Sequence, residues 1–148
     1  MKKRILWIED DYYALQGLVR PLEKEGFTID VATSALDGFE KALKWRHYDL
    51  IIVDLILPLS NTVEDLPDKV RSWAEQEYVG IGLVKWLRAD LKAGCPVLLL
   101  SVVREPMSRL GLQDLGLAGH LVKRGLLPSQ VRDEVFRVLK IEEIPGSE

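Results

Sequence analysis

Five polar side chains stand at or directly after the ends of short apolar runs in this 148-residue sequence: Glu9, Asp10, Asp54, Ser101 and Lys123. If these runs are strands of one parallel sheet, their carboxyl ends lie at the same edge, which is where such sheets bind their ligands. The sequence therefore predicts one polar site that contains three carboxylates, a hydroxyl and an ammonium group.

Carboxylates that converge on one pocket repel one another. A pair of like charges about 4 Å apart costs about 4 kcal/mol at an effective dielectric constant of about 20. Mg²⁺ would remove this repulsion, since it binds one or two carboxylates together with waters. A carboxylate nucleophile, a metal, a hydroxyl and an ammonium group are together suited to phosphoryl transfer onto an aspartate. The neighbouring Asp11 is assigned to the N-cap of the first helix instead.

The elements that must position these residues alternate between two kinds of segment. Amphipathic stretches with helical spacing separate the apolar runs, which predicts an α/β fold with a parallel sheet covered on both faces. The run from Leu50 to Val53 is apolar at every position, as expected for a central strand. The five predicted strands are Arg4–Ile8, Phe27–Ala32, Leu50–Val53, Val97–Leu100 and Gly119–Val122.

Local signals predict the helix boundaries and faces. Gly26 occupies the usual position after the end of the first helix, and Ser34 is a suitable N-cap for the second. The buried face of the second helix is predicted to contain Phe39, Ala42 and Leu43.

Composition limits the class of protein. The chain is 47% hydrophobic and 29% charged with a net charge of −3, so we expect a soluble globular domain without general attraction to nucleic acid or membranes. The single cysteine, Cys95, excludes an internal disulfide and fits a reducing, cytoplasmic location. The N-terminus does not have the pattern of a signal peptide. We expect one domain over residues 1–141 and a short tail, 142–148.

One connection is longer than the others. An insertion of about residues 59–79 follows Asp54, and unstructured loops beyond about 12–15 residues are uncommon in compact domains. Part of it is therefore expected to be ordered, with a helix over Asp68–Tyr78. Gly80 and Gly82 are predicted to weaken the junction with the next helix.

Four segments, in this order along the chain, resemble the response-regulator receiver domain of two-component signalling. They are Arg4–Asp11, Asp49–Pro58, Gly80–Arg88 and Leu115–Lys123. They are similar to the first strand with its acidic pair, the phospho-acceptor strand, the third-helix signature and the approach to the family's lysine. The resemblance covers about residues 3–140 and implies a flavodoxin-like, doubly wound sheet of five parallel strands in the order 2-1-3-4-5.

The resemblance also implies an activity. Asp54 would accept a phosphoryl group from a histidine kinase or phosphotransfer protein. Mg²⁺ would be held by Glu9, Asp10, Asp54 and the backbone carbonyl of Ile56. Such a domain is a phospho-acceptor switch with self-catalysed phosphorylation and dephosphorylation, not a conventional enzyme.

Output residues follow from the same resemblance. Ser101 would bond a phosphoryl oxygen and Lys123 would pair with the phosphate, which would change the surface around the fifth strand that binds a downstream protein or a second copy. Three residues depart from the family pattern. His120 replaces a switch tyrosine or phenylalanine, Arg124 replaces a proline that follows a cis bond, and Val102 replaces a small residue. A trans bond or a strained loop is therefore expected after Lys123.

Two other functions compete with this one. A phosphatase of the haloacid-dehalogenase type would need a second acid two residues after Asp54, where this chain has Ile56. A receiver-shaped interaction module whose binding does not depend on phosphate is the more serious alternative. Aromatic residues that could form its contact surface are Tyr12, Tyr13, Trp73 and Trp86, although such spacing is more typical of a core.

Overall fold

A computed structural model of the chain describes residues 3–57, 65–68, 70–71, 79–101 and 116–141. It contains a five-stranded parallel sheet in the order β2-β1-β3-β4-β5, which confirms the predicted fold and strand order. The elements are β1 (Arg4–Ile8), α1 (Tyr12–Lys24), β2 (Thr28–Ala32), α2 (Ala35–Lys44), β3 (Leu50–Asp54), α3 (Val79–Ala89), β4 (Val97–Ser101), β5 (Leu117–Val122) and α4 (Pro128–Leu139).

The sheet separates two apolar cores. Side chains of α1 and α4 pack on one face of the sheet, around Trp7 and Ile52. Side chains of α2 and α3 pack on the other face, around Leu6 and Ile51. β3 and β4 are buried along their whole lengths, because successive residues of a strand point to opposite faces and here both faces are covered.

Most predicted boundaries are confirmed. Gly26 has a φ of 101°, the left-handed conformation that glycine adopts readily after a helix. The Ser34 hydroxyl accepts a hydrogen bond from the Asp37 N–H at 3.1 Å, so Ser34 caps α2. β5 begins at Leu117, two residues before the predicted Gly119, because its pairing with β4 continues past an irregularity in register.

One buried position in α2 was predicted wrongly. Ala42 is buried and Phe39 packs against the core, but Leu43 is 38% exposed. The buried face of the helix is centred on Ala35, Gly38 and Ala42. Leu43 lies beyond the margin of that face, so its apolar character does not bring it into the core.

Two described side chains of the insertion belong to the core. Leu66 and Val70 are buried in the cluster on the α2–α3 face, as is Leu57 just before the insertion. The predicted helix over Asp68–Tyr78 lies mostly outside the described residues, although Val70 is helical. Part of the region 59–79 is therefore ordered, as predicted from its length.

Gly80 has a packing role that sequence reasoning did not assign to it. A Cβ atom at this position would lie 2.0 Å from the Asp54 carbonyl oxygen. The Gly80 N–H also donates to the Leu55 carbonyl at 3.1 Å. Absence of a side chain thus lets the first turn of α3 approach the backbone at the end of β3, which holds the loop after Asp54.

Replacing Gly80 by alanine is expected to lower the free energy of unfolding by about 2–3 kcal/mol, because the clash is with backbone that cannot move aside cheaply. Chemical denaturation measures the change. Gly17→Ala in α1 is the matched control, since nothing lies within 4 Å of its Cβ position. That helix-favouring change should raise stability by about 0.5–1 kcal/mol. A neutral Gly80→Ala would contradict the close approach.

A charged network fixes the opposite, amino-terminal edge of the sheet. The Arg4 guanidinium donates to Asp30 at 2.9 and 3.3 Å, and the Tyr48 hydroxyl donates to the same carboxylate at 2.7 Å. Burial raises the pKa of Asp30, but the bonds from Arg4 and Tyr48 outweigh it and the net pKa is lowered. Burial is the main cause that raises the pKa of Tyr48, and the Asp30 carboxylate acts in the same direction.

Asp30→Asn is expected to cost about 1–2 kcal/mol of unfolding free energy at neutral pH. Since the folded-state pKa lies below the unfolded value of about 3.9, this stability is present above that value. It is lost as the pH falls through the folded-state pKa. Urea unfolding at pH 7 and at about pH 3 should therefore show a difference between wild type and variant that shrinks in acid. Asp133→Asn, at a 75% exposed side chain, should change little at either pH.

Candidate functional site

The carboxyl edge of the sheet brings the predicted residues together. Backbone bonds continue the strand pairing beyond the strand ends: the Glu9 N–H donates to Ala32 at 2.9 Å and the Lys123 N–H donates to Ser101 at 2.8 Å. Asp54 is the last residue of β3, between them. The adjacent parallel strands therefore deliver acidic and basic side chains to one small region, as the sequence predicts.

Lys123 joins two buried carboxylates. Its Nζ lies 2.7 Å from Glu9 Oε1 and 3.0 Å from Asp54 Oδ2. Glu9 is 2% and Asp54 3% exposed. An ammonium group between them reduces the repulsion that two ionised carboxylates would otherwise suffer at this depth.

The pKa of Glu9 is raised to about 8: burial is the largest cause, the neighbouring Asp54 carboxylate acts in the same direction, and Lys123 opposes the shift. Burial alone would lower the pKa of Lys123, but its bonds to Glu9 and Asp54 raise it overall. A single lysine thus compensates only part of the negative charge that the site would carry if both carboxylates were ionised.

The site fits a divalent cation. Carboxylate oxygens of Glu9, Asp10 and Asp54 all lie within 4.8 Å of one another, and Asp10 is exposed to solvent. Glu9 Oε2 is buried and has no hydrogen-bond partner among the residues that the structure describes. An all-oxygen donor set with an open, hydrated side is the kind that Mg²⁺ occupies. Asp54 Oδ1 accepts a bond from the Ile56 N–H at 3.1 Å, which fixes the loop whose carbonyl was predicted as a ligand.

Four leucine side chains lie beside the charged groups of the site. Glu9 and Lys123 line a cavity of about 150 Å³ together with apolar side chains from α1, β4 and the loop before α4. These side chains are Leu15, Leu18, Leu100 and Leu126. One side of the site is therefore apolar, and electrostatic interactions are stronger in such surroundings than in water.

The residues predicted to act in output lie on β4 and β5. Ser101, the last residue of β4, is 1% exposed. Burial lowers the pKa of the His120 ring, and His120 Nε2 is buried with no hydrogen-bond partner in the described part of the chain. The bond between Lys123 and Arg124 is trans, one of the two geometries expected there. Val102, the third predicted departure, lies outside the described residues.

Other predicted residues have separate places. Asp11 immediately precedes α1, and its carbonyl accepts the Leu15 N–H at 3.0 Å, which agrees with a position at the helix start. Trp86 is buried in the core, whereas Tyr13 is 87% exposed beside the site. Cys95 is half-buried and burial raises the pKa of its thiol, which disfavours a nucleophilic role. The described helices all lack the length and apolar character that a bilayer crossing requires.

The fold is that of CheY-like receiver domains. The response regulator receiver domain protein from Methanospirillum hungatei superposes with a TM-score of 0.72 at 20% identity, over 95% of each chain. The response regulator TrrA from Thermotoga maritima, solved in complex with Mg²⁺ and BeF, gives a TM-score of 0.67 at 22% identity, over 92% of this chain and 98% of TrrA.

Sequence comparison leads to the same class. The transcriptional regulatory protein CusR from Escherichia coli is 31% identical over 120 residues, which are 81% of this chain and 44% of CusR. The chain thus spans less than half the length of this curated relative, and no protein-family model matches it. In fold and in sequence the chain is thus similar to the receiver domains of two-component response regulators.

Removal of the Lys123 charge tests the electrostatics of the site. Lys123→Met should lower the free energy of unfolding by about 2–3 kcal/mol at pH 7. This is less than the loss of a fully buried pair, because the ammonium is partly exposed and Glu9 can take up a proton. Denaturant titration measures the loss. Adding Asp54→Asn to Lys123→Met should recover part of it, since one buried carboxylate is then neutral.

Lys24→Met is the control for this change, because Lys24 is exposed at the end of α1. Its effect should stay within about 0.5 kcal/mol. A double variant less stable than Lys123→Met alone would show that Lys123 does not compensate Asp54.

Proposed function

We propose that this chain accepts a phosphoryl group on Asp54 from a histidine kinase or phosphotransfer protein, in a reaction that requires Mg²⁺. The observation that carries the proposal is the position of Asp54. It lies buried at the end of the central strand, 3.0 Å from Lys123 Nζ and within the cluster formed with Glu9 and Asp10. A carboxylate so placed has a cation beside it and metal-binding oxygens around it.

Each residue of the site would have its own role in the phosphoryl transfer. A carboxylate oxygen of Asp54 attacks phosphorus as the bond from phosphorus to the donor breaks, which leaves an acyl phosphate on the protein. The Ile56 N–H orients the acceptor through Oδ1, and Lys123 offers its charge to the incoming oxygens. Glu9, Asp10, Asp54 and the Ile56 carbonyl would hold Mg²⁺, which neutralises charge on the transferred group when bound.

Phosphorylation would be transmitted through β4 and β5. The modification adds about −1.5 to −2 charges and three acceptor oxygens next to Lys123 and Ser101. Movement of Ser101 towards the phosphoryl group would change the environment of His120 on the neighbouring strand, where Ser101 pairs with Val122 and Leu99 pairs with His120. The surface around β5 would then bind a downstream protein or a second copy of the chain.

This function carries further expectations. The chain would act in the cytoplasm, where kinases of this type present their phosphohistidine, with no direct contact to nucleic acid or membrane. It would turn over only its own phosphoryl group. Residues 1–141 would constitute the receiver domain, with 142–148 as a tail.

The decisive measurement is intact-mass analysis after brief incubation with acetyl phosphate and Mg²⁺. Wild type should gain one phosphoryl group, and chelation of Mg²⁺ by EDTA should prevent the gain. Asp54→Asn should remain unmodified. Asp49→Asn is the matched control, because Asp49 precedes the same strand at its other end, where its carboxylate accepts the Arg4 N–H at 2.8 Å. That variant should be phosphorylated like wild type.

An adduct that survives in Asp54→Asn would assign phosphorylation to another residue. A wild type that gains no phosphoryl group, although Mg²⁺ raises its melting temperature, would instead favour an interaction module that works without phosphate. His120 and Arg124, which depart from the family pattern on the output side, are the residues that favour this second function.

A further inference from the structure

Two large apolar side chains are exposed at the edge of the sheet opposite the phosphorylation site. Leu43, near the end of α2, is 38% exposed, and Trp45, just after it, is 41% exposed. Both lie before β3, at its amino-terminal end, whereas Asp54 ends the same strand. They are therefore separated from the phosphorylation site by the full length of the sheet.

The Trp45 ring is held in place from below. The Arg4 guanidinium lies 4.3 Å from the ring centroid and is itself fixed by Asp30, which Tyr48 also binds. His47 contacts the ring edge-on at 6.3 Å between centroids. A tryptophan that is already ordered loses little conformational freedom on binding, which favours its use as an anchor.

Two basic residues without a salt-bridge partner in the described part of the chain flank Trp45 in the sequence. Among the described residues, Lys44 and Arg46 have no carboxylate within salt-bridge distance, and both are exposed. The nearby acids Asp30 and Asp37 are already paired, with Arg4 and Lys41 respectively. The cations left over flank the exposed tryptophan, in a chain whose net charge is −3.

A groove of about 360 Å³ lies beside Trp45 and Lys44, whereas Leu43 and Arg46 are not among its lining residues. Its charged lining is mixed, with Arg4, Lys41 and Lys44 against Asp30, Asp37 and Glu40. This mixed lining disfavours a nucleic acid, because the negatively charged phosphates of its backbone would lie close to the Glu40 carboxylate. A peptide can space its acidic residues to meet Lys44 and Arg46 and place an aliphatic residue on Trp45.

We infer that this basic–aromatic surface, formed by Leu43, Lys44, Trp45 and Arg46, is a docking site for an acidic peptide segment of a partner protein. Carboxylates of the segment would pair with Lys44 and Arg46, and an aliphatic side chain between them would pack on Trp45 and Leu43. Because this surface lies at the far edge of the sheet, the partner could stay bound while Asp54 is phosphorylated.

Fluorescence anisotropy of a labelled peptide of Glu-Glu-Leu repeats tests the inference with the full chain. The peptide should bind, and its glutamine counterpart should not, since the charges are then missing. Trp45→Ala and the double variant Lys44→Glu, Arg46→Glu should each weaken binding about tenfold or more. Trp45→Phe should retain most of the affinity, because it keeps an aromatic face on Arg4.

Matched controls separate this surface from general effects. Lys24→Glu makes the same change of charge on α1, and Leu127→Ala removes an apolar side chain that is 56% exposed near the phosphorylation site. Both should leave the peptide affinity within about twofold, since neither touches the surface. Asp54→Asn should also bind normally, so the inference stands or fails independently of phosphorylation.

Several results would overturn the inference. Equal affinity of wild type and Trp45→Ala for the peptide would show that Trp45 is not an anchor. Equal affinity of wild type for the glutamine peptide would show that binding does not require acidic residues. Tighter binding of a labelled oligothymidine at the same surface would assign it to single-stranded nucleic acid. Tighter peptide binding by a chain shortened to residues 1–141 would show that the chain's own acidic tail, not a partner, occupies the surface.

Discussion

Two carboxylates and one ammonium group share a nearly dry space at the end of the central strand, and the rest of the site depends on how their charges balance. Lys123 lies within 3.0 Å of both Glu9 and Asp54. One positive charge cannot neutralise both carboxylates in their ionised forms, and the raised pKa of Glu9 reflects that excess, so the site retains an affinity for further positive charge. That deficit is what would make it receptive to a divalent cation, while Lys123 would keep the carboxylates tolerable without one.

The fold maintains this balance of charge by holding the backbone of the charged residues close together. Parallel strands place the three groups at one edge, and the bonds from Glu9 to Ala32 and from Lys123 to Ser101 carry the pairing past the strand ends. Gly80 lets α3 press against the carbonyl of Asp54 itself. The charged groups are consequently attached to backbone that is hydrogen-bonded to neighbouring strands, which fixes the positions from which their side chains extend.

Much of this could be predicted from sequence, for physical reasons that also explain the failures. Periodicity identifies strands and helices because burial has a direction, and the position of a strand end determines where Glu9, Asp54 and Lys123 must meet. The distances between side chains could not be predicted, because no local feature of the sequence indicates that Lys123 contacts both acids. Leu43 was misplaced because an apolar residue at the margin of a helix face need not be covered. The role of Gly80 depends on a neighbour far away in sequence, Asp54, which only the folded chain reveals.

The burial of Leu66 and Val70 alters how the long connection after β3 should be regarded. It contributes side chains to the same core that α2 and α3 complete, so it is an integral part of the folded domain and not only a surface loop. Excising it would leave cavities where those side chains had been, and cavities of that kind cost several kcal/mol. The length of this connection and the volume of the α2–α3 core are therefore linked, since neither can change alone without leaving a void or a clash.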